Sequence, residues 1–199
     1  MPIDRRRFCS ALALLAAAPF CPFARAQSRE VAMERIALTA PAHGVPNSHY
    51  PVMLYHHVIP PDTADNAAYL EHLFMANGWP PQWRYPVYPF THFHITTHEV
   101  VGCYAGAAQL QLGGEQGPIH RVGVGDVLLI PAGVGHKQIA ADKDFMLVGA
   151  YPSGFSPDLC RDEPEKLAER LKAAHGVPLP KSDPVTGHSE GALKYWAGL

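Results

Sequence analysis

The chain has 199 residues, 47% hydrophobic and 17% charged, the length of one globular domain with room for terminal additions. A net charge of −2 provides no basic surplus and argues against a nucleic-acid partner. Twenty Pro and seventeen Gly argue against a helical bundle and for short strands joined by turns, while twelve His point toward metal or acid–base chemistry.

Residues 1–26 read as a secretory leader. Arg5-Arg6-Arg7-Phe8 is a positive start, Ser10–Ala18 is an apolar stretch too short to span a bilayer, and Ala24-Arg25-Ala26 is a small-x-small cleavage site. The Arg-Arg-x-Phe order resembles the bacterial twin-arginine export signal, with Asp4 where that signal usually carries Ser or Thr. The expected product is periplasmic or secreted, without a membrane span. Cleavage removes four Arg and one Asp and takes the net charge from −2 to −5. Cys103 and Cys160 remain, either as one disulfide or as two buried thiols.

Residues 27–84 are expected to supply a strand and a helix that pack on a barrel. The run Pro51–Val58 is β-rich, near a sheet edge, with Pro at both margins. Ala67, Leu70, Leu73 and Phe74 recur at helical spacing over Asn66–Ala76, and Asn77-Gly78 stops the helix. Trp79-Pro80-Pro81-Gln82-Trp83 reads as a rigid loop whose indoles either wall a pocket mouth or pack the helix onto the barrel.

Residues 85–152 carry the barrel core as short β runs separated by Gly. These are Val100–Tyr104, Ala108–Leu112, His120–Val124, Val127–Ile130, Lys137–Ala140 and Phe145–Ala150, with a hairpin turn between Leu112 and Gly117. In 153–199, Asp162 as N-cap, Pro164 in the first turn and Gly176 bracket a helix over Glu163–His175. The tail, Val177–Leu199, is Pro/Gly-rich and reads as mostly loop, and Trp196 suggests that it docks.

His92-Phe93-His94 places two imidazoles on one side of a strand, because residues i and i+2 point the same way. Glu99 follows, and Gly125–His136 brings a further His after a tight turn. Three imidazoles and one carboxylate suit Mn, Fe, Co, Ni, Cu or Zn better than Ca or Mg.

The order His92, His94, Glu99, Gly106 resembles the first cupin motif, and Gly125, Pro131, Gly133, His136 resembles the second. Ala140 stands where the second motif often has Asn, and the leading Gly of the first is absent, with Val87 in that region. Asn77–Arg84, His98–Val100, Leu112–Glu115, Pro131–Lys137 and Val148–Pro152 resemble the YjlB-type cupins, a small bacterial family without an assigned reaction, over most of the mature chain. The resemblance implies a mainly-β cupin double-stranded β-helix, a jelly-roll barrel with N- and C-terminal additions. It implies His92, His94, Glu99 and His136 as ligands of one divalent transition metal. Strand alternation turns His98 away from Glu99, as a histidine on the surface or supporting the ligands from behind; the alternative is that His98 replaces Glu99 as ligand. Phe93, Val101, Leu110, Leu112, Leu128, Ile130, Phe145 and Leu147 are expected in the core or barrel lining.

No Gly-x-Ser-x-Gly, phosphate-cradling loop or dinucleotide fingerprint competes with the metal. The first reading is a metal-dependent oxidoreductase of dioxygenase or oxidase type, acting on a small organic acid or enediol. The second is a non-redox isomerase, lyase or decarboxylase, and the third a non-catalytic small-molecule binder. No catalytic residue beyond the ligands is assigned, and a homodimer is compatible with the sequence. Export of an already folded barrel would enclose Mn or Fe before periplasmic Cu or Zn could compete, which favours Mn or Fe over Ni, Co, Cu or Zn.

Overall fold

The structure, a computed structural model, describes residues 31–187 and 190–198. The leader read over residues 1–26 lies outside them.

Strands β1 (Ala32–Ile36), β2 (Val52–His56), β3 (Pro81–Tyr85), β5 (Glu99–Ala105), β8 (Val127–Ile130) and β10 (Met146–Ala150) form one sheet in the order β1-β2-β8-β5-β10-β3. Strands β4 (His92–Phe93), β6 (Ala107–Leu112), β7 (Ile119–Gly123), β9 (His136–Ala141) and β11 (Cys160–Arg161) form a second in the order β11-β4-β9-β6-β7. Every pairing within the two sheets is antiparallel. This is the mainly-β jelly-roll architecture expected from the sequence.

Both faces of the larger sheet are buried, and strand alternation sorts its residues between them. Val52 and Leu54 of β2, Val101 and Cys103 of β5, and Leu128 and Ile130 of β8 face Leu110, Leu112 and Val122 of the second sheet. Met53, Tyr55, Val100, Val127 and Leu129 alternate outward, beneath Leu70, Phe74, Trp79 and Trp196. That double burial is why the sequence at 52–55 and 127–130 is continuously apolar rather than alternating. Each large side chain fully buried there contributes about 1.5–3 kcal/mol.

Helix α1 (Asn66–Ala76) starts where Asp65 accepts a 3.0 Å hydrogen bond from Ala68 N–H. No described helix is long and apolar enough to cross a membrane.

The elements outside residues 85–152 differ from expectation at several points. The aromatic loop continues as β3, which pairs with β10, and Trp83 lies opposite Gly149. A strand can begin at Pro81 because β3 is an edge and needs no donor there. Strand β2 lies near the sheet edge as expected, second in order, with β1 outside it. Asp162 does not cap a helix: its carboxylate accepts from Gly44 N–H and pairs with His43. The chain instead enters α2 (Leu167–His175) through a 3₁₀ turn, Pro164–Lys166, without a side-chain cap. The tail adds the short helix α3 (Ala192–Trp196), and Trp196 docks as expected, fully buried and donating to Pro51 C=O at 3.1 Å. Cys103 and Cys160 are free thiols, buried, and burial pushes each up to about 12.

Candidate metal centre

The site is built where the two sheets meet. His92 lies on β4 directly opposite His136 at the start of β9, and their rings are 4.1 Å apart. His94 follows β4, and its carbonyl accepts a 2.7 Å hydrogen bond from Gly133 N–H. Gly133 has φ +89°, a conformation that favours glycine, and so the turn before His136 can fold back onto His94. Glu99 enters from the other sheet as the first residue of β5, paired with Ile130.

His92, His94 and His136 are buried and offer ligand atoms within 4.8 Å of one another. Each ring is held by a backbone carbonyl. His92 Nδ1 donates to Phe90 C=O at 3.2 Å, His136 Nδ1 to Val134 C=O at 3.1 Å, and His94 Nδ1 to Asp158 C=O. With Nδ1 carrying the proton, Nε2 is left as the ligand atom on every ring, the arrangement that outer hydrogen bonds impose on metal-binding imidazoles. Glu99 is 3% exposed, with Oε1 at 3.5 Å from His94 Nε2 and Oε2 at 3.2 Å from His136 Nε2. Tyr151 Oη donates to Oε1 at 2.8 Å, whereas Oε2 is buried without a hydrogen-bond partner among the described residues.

This geometry fits a cation. Two Nε2 lone pairs facing a buried carboxylate repel it unless a proton or a metal lies among them. The protonation balance without an ion agrees. Burial disfavours the charged form of His94, but the Glu99 carboxylate and the Asp158 carbonyl carry its pKa upward on balance. Burial likewise opposes ionisation of Glu99, and the imidazoles of His94 and His136 outweigh it, holding the carboxyl well below its usual range. His92 goes the other way, down to about 3, through burial and the neighbouring His136.

His98 is turned to the opposite face, as strand alternation requires. Its Nδ1 accepts from Ala132 N–H at 3.0 Å, its Nε2 donates to Pro178 C=O at 3.2 Å, and its ring lies 5.1 Å from that of Trp196. Of the two indoles, Trp79 packs with α1 in the outer core, and Trp83 lines a cavity of about 540 Å³ that ends on His92, His94, Glu99 and His136. The sequence reading gave no role to Tyr151, although Gly149-Ala150-Tyr151-Pro152 carried part of the family resemblance. Asp158, whose carbonyl orients His94, carried no sequence signal, because a backbone oxygen leaves none.

No protein-family profile matches the chain. Among solved structures, dTDP-4-dehydrorhamnose 3,5-epimerase from Bacillus anthracis str. Ames aligns over 75% of this chain and 93% of its own, at 14% identity and TM-score 0.37. The polyketide cyclase RemF from Streptomyces resistomycificus aligns over 72% and 93%, at 17% identity and TM-score 0.27. The DMSP lyase DddQ from Ruegeria pomeroyi DSS-3 aligns over 68% of this chain at 19% identity and TM-score 0.32, and this chain spans about half its length, 53%. None of these likenesses bears on activity. The uncharacterised protein YjlB of Bacillus subtilis (strain 168) is 34% identical over 147 residues, which cover 74% of this chain and 86% of that protein. On that identity and coverage, the chain belongs to the YjlB family.

Proposed function

We propose that this protein is a metal-dependent oxidoreductase of oxidase or dioxygenase type, acting on a small organic acid or enediol. His92, His94, Glu99 and His136 would hold one divalent transition metal, Mn or Fe. The observation that carries the reading is the convergence of three Nδ1-anchored imidazoles on a buried carboxylate whose Oε2 has no hydrogen-bond partner. Held by these four residues, such an ion would supply Lewis-acid or redox chemistry. The chain does the rest. Asp158, Phe90 and Val134 carbonyls fix the imidazoles, Tyr151 fixes one Glu99 oxygen, and Val87, Val101 and Trp83 give the cavity an apolar wall.

A second reading, a non-redox isomerase, lyase or decarboxylase, is supported by Tyr151. Its phenol lines the cavity beside the ligand set and carries a proton, held on Glu99 Oε1 at 2.8 Å. Elemental analysis of protein purified without added metal, followed by O₂ uptake with carboxylates and enediols, tests the first reading. About one Mn or Fe per chain with O₂ consumption supports it. Metal without O₂ uptake, but with solvent-deuterium exchange into a substrate, supports the second.

The proposal includes twin-arginine export to the periplasm, for which Arg5-Arg6-x-Phe8 and Ala24-Arg25-Ala26 are the support. Mass spectrometry of the periplasmic protein should find Gln27 at its N-terminus; an intact Met1 would refute cleavage.

A further inference from the structure

Resting on the metal-binding reading above, we propose that the cavity takes a ligand with a single anionic oxygen group and an apolar, ring-sized body, and that it rejects phosphorylated and other polyanionic molecules.

The argument is a census of charge along the cavity wall. Its inner end is the His92, His94, His136 and Glu99 group, where a ligand's anionic oxygen would meet a cation. Arg84 is the one Arg or Lys lining the cavity among the described residues. Its guanidinium is already committed to Glu71 of α1, Nε to Oε1 at 2.7 Å and a terminal nitrogen to Oε2 at 2.8 Å. Asp158 also lines the cavity, but its carboxylate is taken up by Ile95 N–H, Thr96 N–H and the Thr96 hydroxyl on one oxygen and by the Cys160 thiol on the other. Arg161 is stacked on Phe90 at 3.6 Å and does not line the cavity. A phosphate group placed away from the metal would therefore meet only Arg84, whose guanidinium already pairs with the Glu71 carboxylate.

The wall between the metal and solvent has the opposite character. Val87, Val101 and Trp83 line it, and Tyr88 and Leu159 lie at the mouth, 41% and 51% exposed. Tyr88 is fixed before any ligand arrives. Its ring stacks on Phe90 at 5.0 Å and 10°, and meets His92 edge-on at 5.1 Å. Exposed apolar surface held rigidly around a cavity of about 540 Å³ suits a body the size of an aromatic ring, whose burial covers that surface at little entropic cost.

The test uses the full chain loaded with Co(II), with metal content measured first, and calorimetric titration with phenylpyruvate, pyruvate and glucose 6-phosphate. Phenylpyruvate should bind about tenfold or more tighter than pyruvate, because only it covers the apolar wall. Glucose 6-phosphate should show no binding over the same range. Leu159→Asp, at an exposed position, should weaken phenylpyruvate selectively, with cobalt content and thermal midpoint unchanged. Equal or tighter binding of pyruvate, preferential binding of glucose 6-phosphate, no binding of phenylpyruvate, or an unchanged preference in Leu159→Asp overturns the inference. Failure to hold cobalt overturns the metal reading instead, so the two failures are distinguishable.

Discussion

Tyr151 Oη donates a 2.8 Å hydrogen bond to Glu99 Oε1 and accepts one of 3.0 Å from Trp83 Nε1. One oxygen of the buried carboxylate is thereby occupied, and the other, Oε2, is left facing His136 Nε2. Trp83 comes from β3 and Tyr151 from the segment after β10, so the edge of the larger sheet orients a group on the metal side of the cavity.

Tyr151→Phe should therefore weaken metal binding by roughly 10–100-fold, the usual consequence of losing a hydrogen bond that orients a ligand. The aromatic ring, which meets His94 edge-on at 5.7 Å, is kept, so the fold should survive. Competition against a chromophoric chelator measures the affinity, and an unchanged constant would show that Tyr151 does not position Glu99.

Replacing His92, His94 or His136 by Ala should empty the site, and His98→Ala should not. His98 should instead cost stability, about 1–3 kcal/mol, because Ala132 N–H and Pro178 C=O would lose their buried partner. Elemental analysis and urea unfolding separate the two effects. If His98→Ala abolishes metal binding and Glu99→Gln does not, the carboxylate is not the ligand.

Acid should destabilise the metal-free protein through the same histidine. Burial pushes His98 down to about 4 from an ordinary value of 6.5. Between those values the unfolded chain binds a proton that the folded chain refuses, so stability present above pH 6.5 is lost as the pH falls toward 4. The contribution has a limiting slope of about 1.4 kcal/mol per pH unit. His98→Asn keeps a donor and an acceptor without the titration. Its unfolding free energy should fall less steeply than that of the parent over this window, and equal slopes would assign the acid sensitivity elsewhere.

The parts legible in the sequence are those written by side-chain periodicity and spacing. Strand β8 is legible with its observed bounds, Val127–Ile130, because four apolar residues stand between Asp126 and Pro131. Helix α1 was likewise legible from Ala67, Leu70 and Phe74, all buried. His92, His94 and His136 do converge, since i and i+2 share a face and a glycine turn returns the chain. What was missed depends on partners far away in sequence. Trp83 belongs to a strand because β3 pairs with β10, where Gly149 leaves space for the indole, and the Asp162 carboxylate is taken by Gly44 N–H, 118 residues away. Tyr151 looks like any core aromatic until Glu99 is placed beside it.

That glycine supplies a final test. A Cβ on Gly149 would overlap the six-membered ring of Trp83, at Cε2 and Cζ2, so Gly149→Ala must expel the indole or spread β3 from β10. The cost should be about 1–3 kcal/mol or more, as for other overpacked contacts. Metal affinity should fall with it, because the displaced indole no longer donates to Tyr151. Trp83→Ala removes the obstacle, so adding Gly149→Ala to it should cost little further stability, a non-additivity that a simple strand-propensity effect would not produce. Urea unfolding of the single and double variants, with Trp fluorescence reporting the indole's environment, measures the coupling. Additive costs would mean that Trp83 is not held against Gly149, and the link from the sheet edge through Tyr151 to Glu99 would fail at its first step.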